Sequence, residues 1–98
     1  MSYRLVVKER AKRQIADGIE WYESKQKGLG LRFLNHIESY FIIILKNPTI
    51  YEIKRKPFRE AFVRKFPYLI IYTIRNHKIV VSAVFHVYQN PEKKYRDS

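Results

Sequence analysis

The stretch that decides the fold is EAFVRKFPYLIIYTIRNHKIVVSAVFHVY, residues 60–88. Two runs rich in β-branched and aromatic residues, 68–74 and 79–87, flank the polar residues 75–78. Strand-length apolar runs separated by a short polar loop predict a β-hairpin. Because both faces of each run are largely apolar, we expect this hairpin to lie inside a sheet that has helices over one face.

Size and composition indicate one domain, residues 1–98, since domains typically contain about 50–250 residues. The sequence has no cysteine, which excludes disulfides and thiolate metal sites. No apolar run approaches the ~20 residues of a membrane span, and the opening MSYR leads into only three apolar residues, unlike a secretory signal. We therefore expect a cytoplasmic protein that does not contact membranes.

The net charge is the most informative part of the composition. Twenty Lys and Arg residues against nine Asp and Glu residues give +11, and such a field attracts polyanions such as nucleic acid or an acidic protein. Glu60 is the only acidic residue in positions 54–65. The same stretch holds six basic residues, called here the basic cluster: Lys54, Arg55, Lys56, Arg59, Arg64 and Lys65. We expect this basic cluster to bind phosphates or an acidic partner, and a merely solvated surface is the alternative.

The first half of the chain predicts a strand and two helices. Residues 3–7, YRLVV, form the strand, and helices follow at 9 to about 25 and about 31 to 46, separated by GLG and ended by Asn47-Pro48. The inner faces repeat at helical spacing: Ala11, Ile15, Ile19 and Tyr22 in the first helix, and Phe33, Ile37, Tyr40, Phe41 and Ile44 in the second. The short connection makes the helices antiparallel neighbours, and the apolar run FIIIL predicts deeper burial for the second helix. Trp21 and Tyr22 are expected to be core or interface aromatics.

The second half predicts a mainly antiparallel sheet. A strand at 60–65 precedes the hairpin, residues 51–54 are a candidate for a further short strand, and residues 89–98 are expected to form a mobile basic tail. The result is an α+β fold in which a two-helix antiparallel hairpin packs on a sheet of about four strands, in the order β-α-α-β-β-β. If the first strand pairs in parallel with a later strand, the two helices form the crossover.

Three phrases in this order resemble toxins of the RelE/ParE superfamily of type II toxin–antitoxin modules: IEWYESKQKGLGLRFL at 19–34, KFPYLIIY at 65–72 and VVSAVFHVYQNPEKK at 80–94. The first helix ends in WY, a G-x-G-x-x-F follows, and the last strand ends in VFH, as in the ParE-like plasmid stabilisation branch. The resemblance implies a cofactor-free, growth-inhibiting cytoplasmic toxin. It also implies a cognate antitoxin that neutralises the toxin through an acidic or amphipathic segment, in a hetero-oligomer.

The resemblance implies one of two targets. The RelE-like branch cuts mRNA in the ribosomal A site without a metal, and the ParE-like branch poisons DNA gyrase. Aligned on Tyr68, the K-x-K of the RelE-like branch falls at Glu60 and Phe62, and its two arginines fall at Leu69 and Gln89. Only its late tyrosine remains, as Tyr95. A glutamate and a phenylalanine cannot replace two phosphate-facing lysines, so we favour the gyrase inhibitor, which is not an enzyme.

Two alternatives stay open: a ribosome-dependent endoribonuclease, and a non-toxic remnant that binds only its antitoxin or nucleic acid. A metal-independent ribonuclease would have to use Arg64, His86, Tyr88 or Tyr95. Histidine, with a reference pKa near ~6.5, is suited to acid–base chemistry, but we favour for His86 a structural role in which it hydrogen-bonds a loop at the strand end. Three scattered histidines without a cysteine predict no metal site.

Overall fold

The computed structural model describes residues 2–95 and shows an α+β fold. Its helices are α1 (Glu9–Lys25) and α2 (Leu29–Lys46), and its strands are β1 (Arg4–Val7), β2 (Ile53–Arg55), β3 (Phe58–Val63), β4 (Tyr68–Arg75) and β5 (Lys78–His86). A short 3-10 helix, Pro91–Lys93, follows β5. The predicted class is confirmed, with one correction. Four strands follow the helices, making five in all, because the three-residue β2 pairs with the start of β3.

The sheet order is β1-β5-β4-β3-β2. The predicted hairpin is β4 and β5, and both strands have partners on two sides. The two-residue turn between them holds Asn76 at φ +56°, a left-handed conformation that asparagine tolerates better than most residues. Since β1 pairs in parallel with β5 and all other pairs are antiparallel, the two helices form the crossover, as expected.

The turn between the helices is held by one carboxylate. Gly28 has φ +87°, which favours glycine, and the chain then enters α2 at Leu29, two residues before the predicted start. Both carboxylate oxygens of Glu23 accept from the Gly28 N–H, at 3.1 and 3.0 Å, and one also accepts from the Gly30 N–H at 3.0 Å. These bonds satisfy N–H groups that the first turn of a helix leaves free. Glu23 on α1 therefore fixes where α2 begins.

Both helices pack on the same face of the sheet. The side chains that fill this core come from α2 and from β4 and β5: Phe33, Ile37, Ile44, Ile70, Tyr72, Ile79 and Val81, each 0% exposed. The second helix is the more deeply buried one, as predicted, with five buried residues against two in α1. Its apolar run is buried on one side only, since Ile42 is 54% and Ile43 40% exposed.

Within residues 2–95, neither α1 nor α2 packs on the other face of the sheet, called here the helix-free face. Ile71, Ala83 and Phe85 are buried there under Phe58, Leu69 and Tyr95. Residues 91–95, which belong to the segment predicted to be a mobile tail, make specific contacts with this face and with α1. Residues 96–98 of that segment lie outside the described residues, and the mobility of the tail stays a prediction.

Substituting Gly18 tests how closely α1 approaches α2. An added Cβ would lie 2.6 and 2.7 Å from two ring carbons of Phe33, which is fully buried and has no room to move. Overpacking costs about 1–3 kcal/mol, and the helix propensity of alanine returns only about 1 kcal/mol. We expect Gly18→Ala to lower the free energy of unfolding in urea, and a combined Phe33→Leu substitution to recover part of the loss. A Gly18→Ala variant more stable than the parent would contradict the close approach.

The titration of Tyr72 makes the free energy of unfolding depend on pH above pH 10. Its hydroxyl donates to the Pro48 carbonyl at 2.7 Å, and burial raises the pKa of Tyr72 to about 12, against an opposing effect of the Arg59 charge. A raised pKa adds stability that is complete below pH 10, the unfolded value, and is lost as the pH rises towards 12. We expect Tyr72→Phe to cost about 1 kcal/mol at pH 7, and the gap to the parent to narrow between pH 10 and 12. A gap that stays constant across that range would refute the titration.

Candidate functional site

Four residues were named as possible ribonuclease groups, and three of them, Arg64, His86 and Tyr95, lie apart from one another in the structure. Arg64 follows β3, whereas His86 ends β5, and the two strands lie on opposite sides of Tyr68 in β4. Two strand spacings correspond to roughly 10 Å. Tyr95 packs on the helix-free face of the sheet, while His86 lines a groove beside α1. Only His86 and Tyr88 come together, with ring centroids 5.4 Å apart.

The contacts of His86 are those of a residue that closes a strand. Its Nδ1 accepts from the backbone N–H of Tyr88 at 3.2 Å, and its ring meets that of Tyr68 edge-on, with centroids 5.0 Å apart. An accepting Nδ1 leaves the proton of the neutral imidazole on Nε2. Burial raises the pKa of the neighbouring Tyr68 to about 12, so this phenol stays protonated near neutral pH. The hydrogen bond to the following loop is the one that the sequence suggested for His86.

A groove of about 280 Å³ runs between α1 and the end of β5. It is lined by Gln14, Asp17, Gly18, Trp21, Tyr68, Val84, His86 and Gln89. Gln14 Oε1 accepts from the Val84 N–H at 2.8 Å, which satisfies the edge of β5 beyond the end of β1. Trp21 is 55% exposed, so it is not a core aromatic, and Lys25 Nζ lies 4.1 Å from its ring centroid.

This groove was not predicted as a unit from the sequence. The signal was present, since Gln14, Gly18 and Trp21 recur at helical spacing beside the apolar stripe of α1. What the helix alone could not show is that the end of β5 lies opposite these positions.

On the helix-free face, Glu60 binds the C-terminal segment. Lys94 Nζ lies 3.1 Å from Glu60 Oε2, the Tyr95 hydroxyl donates to the same oxygen, and the Glu60 side chain is only 7% exposed. The guanidinium of Arg10 on α1 donates to the Lys94 carbonyl at 3.2 Å. Burial raises the pKa of Tyr95 well above its usual value, and the hydrogen bond to Glu60 and the charge of that carboxylate raise it further. The phenol therefore keeps its proton near neutral pH.

The cluster around Glu60 brings together three positions that the alignment matches to ribonuclease groups of the RelE-like branch. Glu60 stands for a lysine, Leu69 stands for an arginine, and Tyr95 matches the late tyrosine. Phe62, which stands for the second lysine, is 53% exposed further along β3. The surface therefore presents a carboxylate engaged by the tail and apolar side chains where the alignment expects cations.

The basic cluster is partly engaged within the chain. Lys54 pairs with Glu52 at 3.1 Å, Arg59 Nη1 donates to the Tyr51 carbonyl at 2.8 Å, and the Arg55 guanidinium lies 4.9 Å from the Tyr95 ring centroid. The remaining members, Lys56, Arg64 and Lys65, are exposed. Lys54 and Arg55 are exposed as well, so five of the six members face solvent and only Arg59 is half-buried.

Within residues 2–95, no three His, Asp or Glu side chains come close enough together to hold a metal ion. In the same range, neither α1 nor α2 is both long and apolar enough to cross a membrane.

The fold of this chain is similar to that of known solved structures. Two of them are the chromosomal ParDE toxin–antitoxin system from P. aeruginosa, and an E. coli RelE toxin mutant in complex with an antitoxin RelBc peptide. The first matches with a TM-score of 0.64 at 8% identity, covering 87% of this chain and 96% of that one. The second matches with a TM-score of 0.62 at 18% identity, covering 95% of this chain and 90% of that one. At these identities the likeness shows the fold alone.

The sequence comparison is more specific than the structural one. No curated protein matches the chain. The family model described as the ParE toxin of the type II toxin–antitoxin system parDE matches residues 5–91, which is nearly the whole chain. The predicted membership of the RelE/ParE superfamily is confirmed, and this chain belongs to its ParE toxin family.

Proposed function

We propose that this protein is a growth-inhibiting toxin that inhibits DNA gyrase by binding it, and that it is not an enzyme. Membership of the ParE toxin family supports the general role. The observation that carries the mode of action is the cluster of Glu60, Lys94 and Tyr95 on the helix-free face. It replaces the cationic surface that a metal-independent ribonuclease needs.

Charge around the reacting phosphate is what distinguishes a ribonuclease from a protein that only binds. Cleavage without a metal requires preorganised donors and cations around the charge that develops in the transition state. A carboxylate about 4 Å from a phosphate instead costs roughly 4 kcal/mol at an effective dielectric constant of ~20. Lys94 offsets the charge of Glu60, but it is then itself engaged and adds no free cation. Tyr95, protonated and bonded to Glu60, is not available as a base near neutral pH.

A cognate antitoxin is the expected partner of the toxin in a hetero-oligomer, in the same cytoplasmic compartment. A shallow groove of about 360 Å³ beside β3 combines exposed apolar and basic side chains, and it is lined by Ile50, Tyr51, Glu52, Lys54, Glu60, Phe62 and Arg64. Ile50 and Phe62 are 52% and 53% exposed. Apolar surface next to Lys54 and Arg64 suits an acidic, amphipathic segment. We assign the exposed part of the basic cluster to this partner.

Induced expression in a bacterium tests the toxin target. We expect growth arrest with double-strand DNA breaks and intact mRNA, and we expect His86→Ala and Tyr95→Phe to arrest growth like the parent. Growth, DNA breakage and mRNA ends are scored together, with the melting temperature of each variant as the folding control. New mRNA ends inside codons, lost on His86→Ala or Arg64→Ala, would establish the ribonuclease instead. Absence of arrest with tight antitoxin binding would identify a non-toxic remnant.

Salt dependence tests the electrostatic part of antitoxin binding. We expect the affinity for the cognate antitoxin to fall between 50 and 200 mM salt, because the Debye length shortens with rising salt, to about 8 Å at 0.15 M, and exposed charges attract each other less. Lys54→Gln with Arg64→Gln should weaken binding and flatten the salt dependence, as measured by calorimetry. The matched control is Lys12→Gln with Lys27→Gln, which removes the same charge outside the groove. Binding that is indifferent to salt, or equally weakened by both pairs, would contradict the assignment.

A further inference from the structure

Three cations stand side by side across three strands. Arg4 of β1 lies directly opposite Lys78 of β5, and Lys78 lies directly opposite Arg75 of β4. Directly paired residues project from the same face of a sheet, so the three side chains form one row, called here the cation row. All three are exposed, and none forms an ion pair within residues 2–95.

The cation row has an energetic cost in the free protein. Like charges directly opposite each other on neighbouring strands destabilise a sheet, by up to about 1 kcal/mol for each pair. Nothing in the core requires charge at these positions, since Ile74 and Ile79, beside Arg75 and Lys78, are the ones that face the helices. An arrangement that costs stability without serving the core points to a ligand that carries negative charge.

A small cavity adjoins the row on the helix-free face. It measures about 60 Å³ and is lined by Lys8, Phe58, Thr73, Arg75, Val80 and Ser82. At ~15 Å³ for each water-sized position, this is room for roughly four oxygens, the number that a phosphate group has. Thr73, which is only 3% exposed, contributes its side chain to the lining, and Ser82 donates to the Ile71 carbonyl at 3.2 Å. Two cations, Lys8 and Arg75, and two hydroxyl-bearing side chains therefore border this space.

We infer that the cation row and this cavity bind the sugar–phosphate backbone of a nucleic acid. Arginine presents its donors in a fork that fits phosphate oxygens, and lysine acts as a point charge beside it. The row crosses two strand spacings, roughly 10 Å, which is longer than one phosphate and suits several in series. Because the row is a set of exposed charges that phosphates attract whatever the bases are, we expect binding to depend little on sequence.

The composition of this surface distinguishes nucleic acid from an acidic protein segment. An amphipathic segment needs apolar surface as well as charge. Of the large hydrophobic side chains exposed in residues 2–95, only Val6 belongs to β1, β4 or β5, and it is 37% exposed. The others lie on the helices, on β2 and β3, and in the loops. Val6 and the cavity-lining Phe58 and Val80 add only a small apolar area beside the row, so charge dominates this surface, as it does in a contact with phosphates.

This assignment goes beyond the proposed inhibition of gyrase and does not depend on it. The basic cluster at 54–65 was the nucleic-acid candidate in the sequence, and the register of the sheet points to a different set of residues. The two sets can be altered separately, so their roles can be told apart.

The test is binding of a fluorescently labelled 20-nucleotide single-stranded DNA, followed by anisotropy from 50 to 200 mM salt. Arg75→Gln with Lys78→Gln should weaken binding at least tenfold at 50 mM salt. It should also reduce the slope of log affinity against log salt by about 1.4, because each cation that neutralises a phosphate of a single strand contributes ~0.7 to that slope. Lys12→Gln with Lys27→Gln, the matched control, should change affinity less than threefold. Thr73→Val should weaken binding severalfold without changing the slope.

The melting temperature and the control pair exclude unfolding and a diffuse basic field as explanations for a loss of binding. The row variant should melt no lower than the parent, because it removes like-charge pairs, so a loss of binding would not reflect unfolding. Equal weakening by the row pair and the control pair would overturn the assignment in favour of a diffuse basic field. No DNA binding by the parent at 50 mM salt would also overturn it, as would loss of antitoxin binding with DNA binding intact in the row variant.

Discussion

Two helices cover only one face of the five-stranded sheet, and the rest of the structure depends on this constraint. Because β1 pairs in parallel with β5, the chain has to cross over the sheet before it returns, and α1 and α2 make that crossing together. Both helices therefore lie on the same face. The other face of β4 and β5 is left without a layer of secondary structure, although these strands are largely apolar on both sides.

The two ends of the helix-free face differ in what covers them. Near the end of β5, Tyr95 covers Leu69 and Phe58 around the buried Phe85, and the pair of Lys94 with Glu60 fastens the tail there. Glu60 is thus engaged by two side chains of the tail, Lys94 and Tyr95, in a partly buried position. Near the start of β5, no segment of residues 2–95 covers the sheet, and charged side chains face solvent. One end is thus closed by structure and the other is open to a ligand.

Whether a feature of the fold or of the site could be predicted depends on how far apart in the sequence the interacting residues lie. The β4–β5 hairpin and both helices could be predicted because period-two and helical patterns are local properties of the sequence. The contact between Glu60 and Tyr95 joins residues 35 positions apart, and the cation row joins position 4 to positions 75 and 78. Such neighbours depend on strand register, which no local pattern encodes. The exposure of Trp21 likewise depends on which side of α1 the sheet covers.

Net charge alone therefore says little about where this protein binds a polyanion. In the groove beside β3, Lys54 and Arg64 stand next to Glu52, Glu60 and exposed apolar side chains, whereas the row across β1, β5 and β4 holds three cations. Strand β4 would separate the charges of an acidic antitoxin in the groove from Lys78 of the row. Two strand spacings, roughly 10 Å, already equal a Debye length at 0.1 M salt. Charge in the groove would then be weakened by screening at Lys78 and Arg4, so an antitoxin that also prevents nucleic-acid binding has to cover the row itself.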